Sequence, residues 1–409
     1  MTIHAARSEE STPLDGLPRE RTCPFDPPAD YRRIQEEEPV SRLTFPSGRS
    51  GWLITRYDDA RALLADARFS SRREAGTNPA RKLPPEAEDL RMRPGMFIGM
   101  DPPDHTRYRR LLTGQFTVRR MNALVPQIER IVAEHLDAMA RGDRPADLVQ
   151  AFALPVPSMV ICELLGVPYA DRVQFQEWTA TLLRLDTEWE AVRGTADEVE
   201  AYMLGLVVAK RRTPAEDLLS GLVHGPGGLT DDELVNIGNL LLFAGHETTA
   251  NMLGLGVLTL LHHPAQLAAL RADPTVLPGA VEELLRYVSI LQFGILRIAT
   301  ADIEVGGRWI RAGDPVVVSA MAANRDPARF REPDLLDVTR EYSPHLAFGH
   351  GVHQCLGQQL ARVEMRVGLG ALLTRFPTLR LAVPPEQVRM RDDMAIYGVH
   401  ELPVTWDGP

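Results

Sequence analysis

The sequence has few cysteines and almost no lysine. Its 409 residues include three cysteines, Cys23, Cys162 and Cys355, which lie far apart and form no C-x-x-C pair. Such spacing supports neither a structural zinc site nor a disulfide framework. Lys82 and Lys210 are the two lysines, so arginine supplies nearly all the positive charge. The net charge of −10 argues against a general affinity for nucleic acid or for anionic membranes.

Long uninterrupted apolar runs are also absent. Residues 1–21 are polar and charged and lack the apolar stretch of a secretory signal. The most apolar stretch, residues 234–261, is interrupted by asparagines, a histidine and Glu247, which makes it too polar to span a bilayer. These features predict a soluble cytoplasmic protein without a membrane partner. With 44% hydrophobic residues, the chain is apolar enough for a large packed core.

Helical periodicity dominates the middle of the chain, and strand patterns lie toward its ends. Apolar residues recur three and four positions apart through most of residues 105–290, which predicts a mainly helical protein. The longest predicted helix starts at Thr230, where Thr-Asp-Asp-Glu has the spacing of a capping box, and it ends before Pro264. Alternating patterns predict a hairpin within residues 40–58 and further strands within residues 295–319.

Other segments carry less pattern. Residues 1–21 are predicted to be a flexible tail. Residues 70–100 are charged and rich in proline, which predicts a long loop. Residues 111–139 have a helical pattern, and a last helix is predicted over residues 357–375.

A glycine-rich segment precedes this last helix and reads Phe348-Gly-His-Gly-Val-His-Gln-Cys355-Leu-Gly357. Its glycines allow backbone conformations that other residues avoid, and they allow a flat ligand to approach closely. Cys355 directly precedes the helix, whose free N–H groups and positive dipole end favour a thiolate. A thiolate in such a loop is suited to hold one axial position of a metal. The alternative is an inert buried thiol, which is the usual state of a lone cysteine.

A second unusual segment, Ala244-Gly-His-Glu247-Thr248-Thr, lies in the middle of the long predicted helix. Glu247 is the only carboxylate between residues 234 and 261. Because burying an unpaired carboxylate is costly, Glu247 needs a partner or a function. The threonine hydroxyls compete for backbone carbonyls, and together with Gly245 they are predicted to open a local gap in the helix. A buried salt bridge beside two neutral threonines explains the segment equally well.

Together, these two segments resemble the cytochrome P450 family. The F-G-x-G-x-H-x-C-x-G pattern of residues 348–357 resembles the haem-ligand loop of that family, and A-G-x-E-T-T resembles its oxygen-binding groove. The resemblance covers about residues 39–406 and points to the soluble, actinobacterial-type branch. It implies a mainly α, multihelical P450 fold with small β-sheets near the N- and C-terminal parts. It also implies that residues 22–409 form a single catalytic domain.

The resemblance further implies that haem b is the cofactor, with Cys355 as the axial ligand of the iron. Thr248 and Glu247 would deliver protons while oxygen is activated. Arginine and histidine suit the two haem carboxylates as donors, and the alternative for any one of them is a solvated charge. The implied haem contacts are His105, Arg109, Arg297, His353, Cys355, Ala244, Gly245, Phe348 and Gly349.

Two further sets of residues follow from the resemblance. Glu283-Leu-Leu-Arg286 resembles the E-x-x-R element, and Arg340 matches the third member of that structural ion network. By spacing alone, Glu283 and Arg286 would equally form an ordinary surface salt bridge. The implied substrate pocket consists of Leu240, Phe243, Ala244, Thr248, Ile290, Leu291, Gln292, Phe293 and Ile396.

The expected activity is a monooxygenase that inserts one oxygen atom from O2 into a C–H bond. Its substrate would be a lipophilic small molecule such as a polyketide or macrolide, a steroid or a xenobiotic. No G-x-G-x-x-G pattern follows a strand, so we expect electrons from ferredoxin and its reductase. Arg362 and Arg366 are candidate contacts for an acidic ferredoxin, although a solvated helix face explains them equally.

Two alternatives remain at this point. A peroxide-driven haem-thiolate peroxygenase is disfavoured because peroxide use does not need the proton relay that Glu247 and Thr248 would supply. A haem-based gas sensor or carrier would normally contain a signalling domain or linker, and none is visible in the sequence.

Overall fold

The computed structural model describes residues 12–84 and 93–408. The α-helices within these residues are α1 (Asp30–Glu37), α2 (Tyr57–Ala65), α3 (Asp104–Thr113), α4 (Val118–Ala123), α5 (Val125–Arg141), α6 (Pro155–Leu165), α7 (Arg172–Leu183), α8 (Trp189–Arg212), α9 (Leu218–Val223), α10 (Asp231–His262), α11 (Pro264–Ala272), α12 (Leu277–Tyr287), α13 (Ala320–Ala323) and α14 (Gln358–Arg375). The strands are β1 (Leu14–Asp15), β2 (Val40–Thr44), β3 (Ser50–Ile54), β4 (Phe69–Ser70), β5 (Ala146–Asp147), β6 (Ile295–Ala299), β7 (Ile303–Val305), β8 (Arg308–Ile310), β9 (Pro315–Val318), β10 (Arg380–Leu381) and β11 (Pro403–Thr405). The prediction of a mainly helical protein with small sheets is confirmed.

The largest sheet joins the two strand-rich parts of the sequence, in the order β1-β2-β3-β9-β6-β4. β2 and β3 pair antiparallel, as predicted for residues 40–58. β9 pairs in parallel with β3 and antiparallel with β6, so the predicted strands of residues 295–319 complete the same sheet. The remaining sheets are β10-β11-β5 and the hairpin β7-β8.

The predicted flexible tail over residues 1–21 is wrong for part of its length. Leu14 of β1 pairs in parallel with Leu43 of β2, at the edge of the largest sheet. A two-residue strand has no readable periodicity, and the free N–H and C=O groups of the neighbouring edge hold it in place. Residues 1–11 of the predicted tail lie outside the described residues.

The long helix α10 forms as predicted. The Thr230 hydroxyl accepts from the Glu233 N–H at 3.2 Å, and the Glu233 carboxylate accepts from the Thr230 N–H at 2.8 Å, which completes the capping box. At about 1.5 Å per residue, the helix is about 50 Å long. Most of its residues are buried, and it packs against α6, α8 and α14, so it passes through the centre of the helical region.

The predicted helical region at residues 111–139 is divided among three helices, α3, α4 and α5. Thr117 takes an extended conformation and caps α4 by accepting from the Arg120 N–H. Pro126 then lies in the first turn of α5, where it ends the preceding helix because it has no N–H to donate. In the predicted loop of residues 70–100, residues 85–92 lie outside the described part.

The apolar side chains form three clusters. The largest surrounds α10 and includes side chains from most of the helices. The second lies between the largest sheet and α2, and the third lies around β2, β3 and β6. No single helix of the described residues is long and apolar enough to cross a membrane. By length and composition together, α10 and α11 could do so only as a pair, and this pair is bent by 102°.

Candidate functional site

Residues 348–357 form a tight loop that leads into α14. Gly349 and Gly351 have φ angles of 68° and 76°, in the left-handed region that favours glycine. A Cβ at Gly351 would overlap the carbonyl oxygen of Leu64 in α2. The glycines predicted from the sequence therefore allow the loop to turn and to lie against α2, and this arrangement presents Cys355 before the helix.

The environment of the Cys355 sulfur differs from the prediction. Burial raises the pKa of the Cys355 thiol, and this effect outweighs the N–H groups of Gly357 and Gln358 and nearby arginines, which lower it. The N–H groups at the start of the helix do favour the thiolate, as predicted, but burial of the side chain outweighs them. Removing the sulfur from water costs more than the helix dipole returns, so the thiolate needs a further positive charge such as a metal ion.

An internal space adjoins the two segments that the sequence singled out. Cys355 is exposed, yet its thiol pKa is raised by burial, so the sulfur faces a space enclosed by protein rather than bulk solvent. Ala244 is also exposed, although it lies midway along the mostly buried α10. Accessible surface at these two central positions indicates room for a ligand between the helices.

Basic side chains gather beside the Cys355 loop. The rings of His105 and His353 have centroids 4.1 Å apart. Arg109 Nη2 donates to the carbonyl oxygen of Gln354 at 2.6 Å. Both ring nitrogens of His105 are buried, and neither has a hydrogen-bond partner among the described residues. A buried histidine without partners is costly, which indicates that these nitrogens serve a ligand.

The pKa values show how these charges act on one another. Burial lowers the pKa of His353 to about 3, and the positive charges of His105, Arg297 and Arg109 add to this effect. Burial also lowers the pKa of Arg297 to about 10. Asp101 is the carboxylate that opposes these shifts. Arg109 and Arg297 carry two positive charges, whereas Asp101 carries one negative charge. Because positive charge is in excess, the cluster suits a ligand with carboxylates.

The predicted Thr248 site lies on α10, and its hydroxyl donates to the Ala244 carbonyl at 2.8 Å. α10 is continuous through this segment. The predicted local gap does not interrupt the helix. A Cβ at Gly245 would lie 2.6 Å from Cδ1 of Ile161 in α6. The close approach of the two helices therefore accounts for this glycine, and its contact with haem stays a prediction.

Glu247 is buried and has two partners. Arg391 Nη2 donates to Oε1 of Glu247, and Asn251 Nδ2 donates to the same oxygen at 3.2 Å. Asn251 Nδ2 also donates to the backbone carbonyl of Glu247 at 2.8 Å. The buried salt bridge that the sequence left open as an alternative is therefore present. This salt bridge is compatible with a role for Glu247 in proton delivery. It also connects the carboxylate to Arg391, which lies far along the chain.

The structure brings Glu283, Arg286 and Arg340 together. Arg286 donates to the two Glu283 carboxylate oxygens at 2.7 and 2.8 Å, and Arg340 Nε donates to both at 3.1 Å. The side chains of Glu283 and Arg286 are each 2% exposed, which excludes the ordinary surface salt bridge. Both arginines also donate to carbonyls within residues 324–335 and so hold that segment against α12.

Part of the predicted pocket is assembled around α10. Leu291 and Ile396 form an isolated β-bridge, which places these two residues side by side. Leu240, Phe243 and Ile290 are partly buried against the main cluster. Leu240 and Phe243 lie on α10 itself, as do the accessible Ala244 and Thr248.

Two of the predicted pocket residues have other partners in the structure. The amide nitrogen of Gln292 donates to the carbonyls of Arg391 at 3.2 Å and Met394 at 2.7 Å, so the amide predicted for a substrate is already used. Phe293 belongs to the third cluster, together with Leu17 and Leu53, and its place in the pocket stays a prediction. Gln292 and Phe293 form a turn between the bridge at Leu291 and the start of β6 at Ile295.

The two arginines predicted to contact ferredoxin differ. Arg362 donates to the Glu282 carboxylate at 2.6 and 3.0 Å, and its guanidinium lies 4.5 Å from the centre of the Phe348 ring. It is therefore engaged with the Cys355 loop and is not a free surface cation. Arg366, one turn further along α14, forms no hydrogen bond or ion pair with a described residue.

Residues 190–404 match the family model described as cytochrome P450. Cytochrome P450 105C1 from a Streptomyces species is 51% identical over 93% of this chain and 96% of its own length. The chain belongs to the cytochrome P450 family. Pentalenic acid synthase from Streptomyces avermitilis is 48% identical over 95% of this chain and 97% of its own. The crystal structure of CYP105P1 in complex with filipin I covers 96% of this P450 and 99% of its own chain, at 46% identity and a TM-score of 0.90.

These matches confirm the predicted fold and show that the protein is a P450 monooxygenase whose cofactor is haem b. The residues present fit that group. The internal space at Cys355 and Ala244 offers room beside a sulfur ligand. The unpartnered nitrogens of His105 and the excess of arginine charge offer donors for carboxylates.

Two residues near the site of this P450 were missed in the sequence. Arg391 lies in a run of charged residues that reads as a solvated turn, yet it binds the carboxylate on α10. Arg73 lies in the predicted loop of residues 70–100, and its charge acts on Arg297. Neither has a local signal, because each is defined by a partner far along the chain.

Proposed function

We propose that this P450 hydroxylates a lipophilic small molecule, such as a polyketide or macrolide, a steroid or a xenobiotic, with one oxygen atom from O2. The observation that carries the proposal is that Cys355 has accessible surface although burial raises its thiol pKa, and that a cluster of basic residues lies beside its loop. The names of two relatives support the substrate class, since one is pentalenic acid synthase and another was crystallised with filipin I.

In this proposal, Cys355 ligates the haem iron and the basic cluster holds the haem carboxylates. Bound haem supplies the chemistry that activates oxygen, while the protein supplies ligation, orientation and protons. His105 is the best placed donor, since both its ring nitrogens lack a partner in the described residues. Arg109, Arg297 and His353 complete the set. Ala244, Gly245, Phe348 and Gly349 would contact the ring.

Thr248 and Glu247 would form the proton relay. The Thr248 hydroxyl donates to the Ala244 carbonyl, so its oxygen lone pairs remain free to accept a hydrogen bond. Rotation about the C–O bond would redirect its proton into the internal space. Glu247 lies one residue earlier, and its carboxylate would carry protons to this position after it turns away from Arg391.

The pocket would consist of the apolar residues around α10, with Ile290, Leu291 and Ile396 facing them. We expect ferredoxin and its reductase as electron donors in the cytoplasm, and Arg366 is the freer of the two candidate contacts. Residues 22–409 would act as a single catalytic domain, because the site draws on segments from His105 to Ile396.

The test is the spectrum of the reduced, CO-bound protein. We expect the red-shifted Soret band of a thiolate-ligated haem, and we expect Cys355→Ala to lack it. Cys162→Ala is the matched control, because that thiol is buried in the core with its pKa raised by burial to about 12. It should keep the band. A histidine-type spectrum in the unmodified protein would overturn the proposal.

The substrate class is tested by a spin-state titration with macrolides, steroids and terpenoids. Compounds that shift the ferric haem to high spin are then incubated with ferredoxin, its reductase and isotopically labelled O2. Incorporation of one labelled oxygen atom into the product supports the proposal. Product formed only with added peroxide would favour the peroxygenase instead.

A further inference from the structure

Residues 390–399 (the 390–399 segment) lie against the face of α10 that carries Glu247. Arg391 of this segment binds the Glu247 carboxylate. One helical turn later, a Cβ at Gly398 would overlap Oδ1 of Asn251, so only glycine permits this approach. Positions four residues apart share one face of a helix. The segment therefore contacts α10 at two successive turns on the side of the carboxylate.

The same segment borders the proposed substrate pocket. Ile396 forms a β-bridge with Leu291, and the Tyr397 N–H donates to the carbonyl of Ile290 at 2.9 Å. A ligand that packs on Ile396 would thus press on a segment whose other residues contact α10. The pocket wall and the partner of Glu247 belong to one short piece of chain.

Arg391 has little freedom within that piece. Its N–H donates to the carbonyl of Gly398 at 3.0 Å, and its own carbonyl accepts from the Gln292 amide at 3.2 Å. Its side chain is 13% exposed, and the buried Nε atom has no partner within residues 12–84 and 93–408. Because the guanidinium is planar and held in place, a shift of the 390–399 segment moves its contact with Glu247.

We propose that Arg391 is a positioning residue for Glu247, and that the 390–399 segment couples occupancy of the pocket to the orientation of this carboxylate. The inference rests on the proposed function, since it concerns the delivery of protons from Glu247. Coupling between two sites is reciprocal. A change at the Arg391–Glu247 pair must therefore change the affinity of a ligand in the pocket.

The first experiment measures the binding of 4-phenylimidazole to the ferric holoprotein by its spectral shift. Residues in contact show coupling energies that correspond to between about twofold and a hundredfold in affinity. We expect Glu247→Gln and Arg391→Gln each to change the dissociation constant by such a factor, and we expect the double variant to match the single variants. The double variant also avoids leaving one charge buried alone.

Arg389→Gln is the matched control, because Arg389 precedes the segment and its side chain is exposed. It should alter affinity by less than about twofold. Unchanged affinity in both single variants would overturn the proposal, and so would strictly additive effects in the double variant.

The second experiment does not depend on turnover or on a ligand. Amide hydrogen exchange of the ligand-free holoprotein should speed up in the 390–399 segment when Glu247 becomes glutamine, and Arg391→Lys should preserve most of the protection. The coupling would be refuted if amide hydrogens of the 390–399 segment exchanged at the same rate in Glu247→Gln and in the unmodified protein. The CO spectrum reports on Cys355 separately, so failure of the proposed function and failure of the coupling give different results.

Discussion

Replacing Arg286 with methionine removes the centre of the ion network that holds residues 324–340 against α12. All of its polar nitrogens are engaged: two bonds reach Glu283, and three reach the carbonyls of Asn324, Pro333 and Leu335. Methionine keeps most of the apolar stem but supplies no donor. The variant therefore leaves several buried acceptors without partners.

The magnitude follows from burial. Arg286 and Glu283 are each 2% exposed, so the pair is isolated from water. Breaking a buried ion pair by removing one partner costs about 3–5 kcal/mol. Arg340 stays on Glu283 and on the Leu335 carbonyl, which moderates the loss, whereas the carbonyls of Asn324 and Pro333 lose this donor at about 1–3 kcal/mol each. We expect the free energy of unfolding to fall by at least about 4 kcal/mol.

The assay is urea unfolding of the holoprotein, followed by far-UV circular dichroism and by the Soret band. Arg331→Met is the matched control, since that side chain is 92% exposed on the same segment. It should change stability by less than about 0.5 kcal/mol. A loss below about 1 kcal/mol in Arg286→Met, or equal losses in the two variants, would refute the assignment of Arg286 as the centre of the network.

Three further predictions concern the site. Thr248→Ala should retain haem but divert reducing equivalents into peroxide, and unchanged coupling of electron use to product would contradict its place in the relay. Burial raises the pKa of Glu282, but hydrogen bonds from His345 and Arg362 outweigh it and hold the pKa at about 2, below its usual 4.5. The stability that Glu282 contributes is therefore complete above about pH 4.5 and is lost as the pH falls toward 2, so Glu282→Gln should flatten this acid part of the pH–stability profile. Gly351→Ala should destabilise the loop by at least about 1–2 kcal/mol, because alanine is strained at the φ of 76° that Gly351 adopts. The urea midpoint and the haem content would measure this loss.

Local patterns in the sequence predicted much of the fold and the centre of the site. The capping box at Thr230, the hairpin of residues 40–58 and the glycines before Cys355 all depend on neighbours within a few residues. Such features are readable because caps, turns and periodic faces are determined by short stretches of chain. The resemblance to the P450 family rested on two of these stretches.

Other features are decided by distant parts of the chain. Phe293 was expected in the pocket, and the fold also brings it into one cluster with Leu17 and Leu53. The helix end was expected to favour the Cys355 thiolate, but the tertiary structure encloses the sulfur, and burial has the larger effect. Burial and packing depend on the whole fold, so neither was visible in the local pattern.

By itself, the sequence determined that this protein has a long central helix with a lone carboxylate, and a glycine-rich loop that presents one cysteine. The tertiary structure decided what each of them faces. Glu247 and Arg391 are 144 residues apart in the chain, and no periodicity connects them. They meet because Gly398 lets the 390–399 segment approach α10 closely, and a buried carboxylate needs a nearby positive charge.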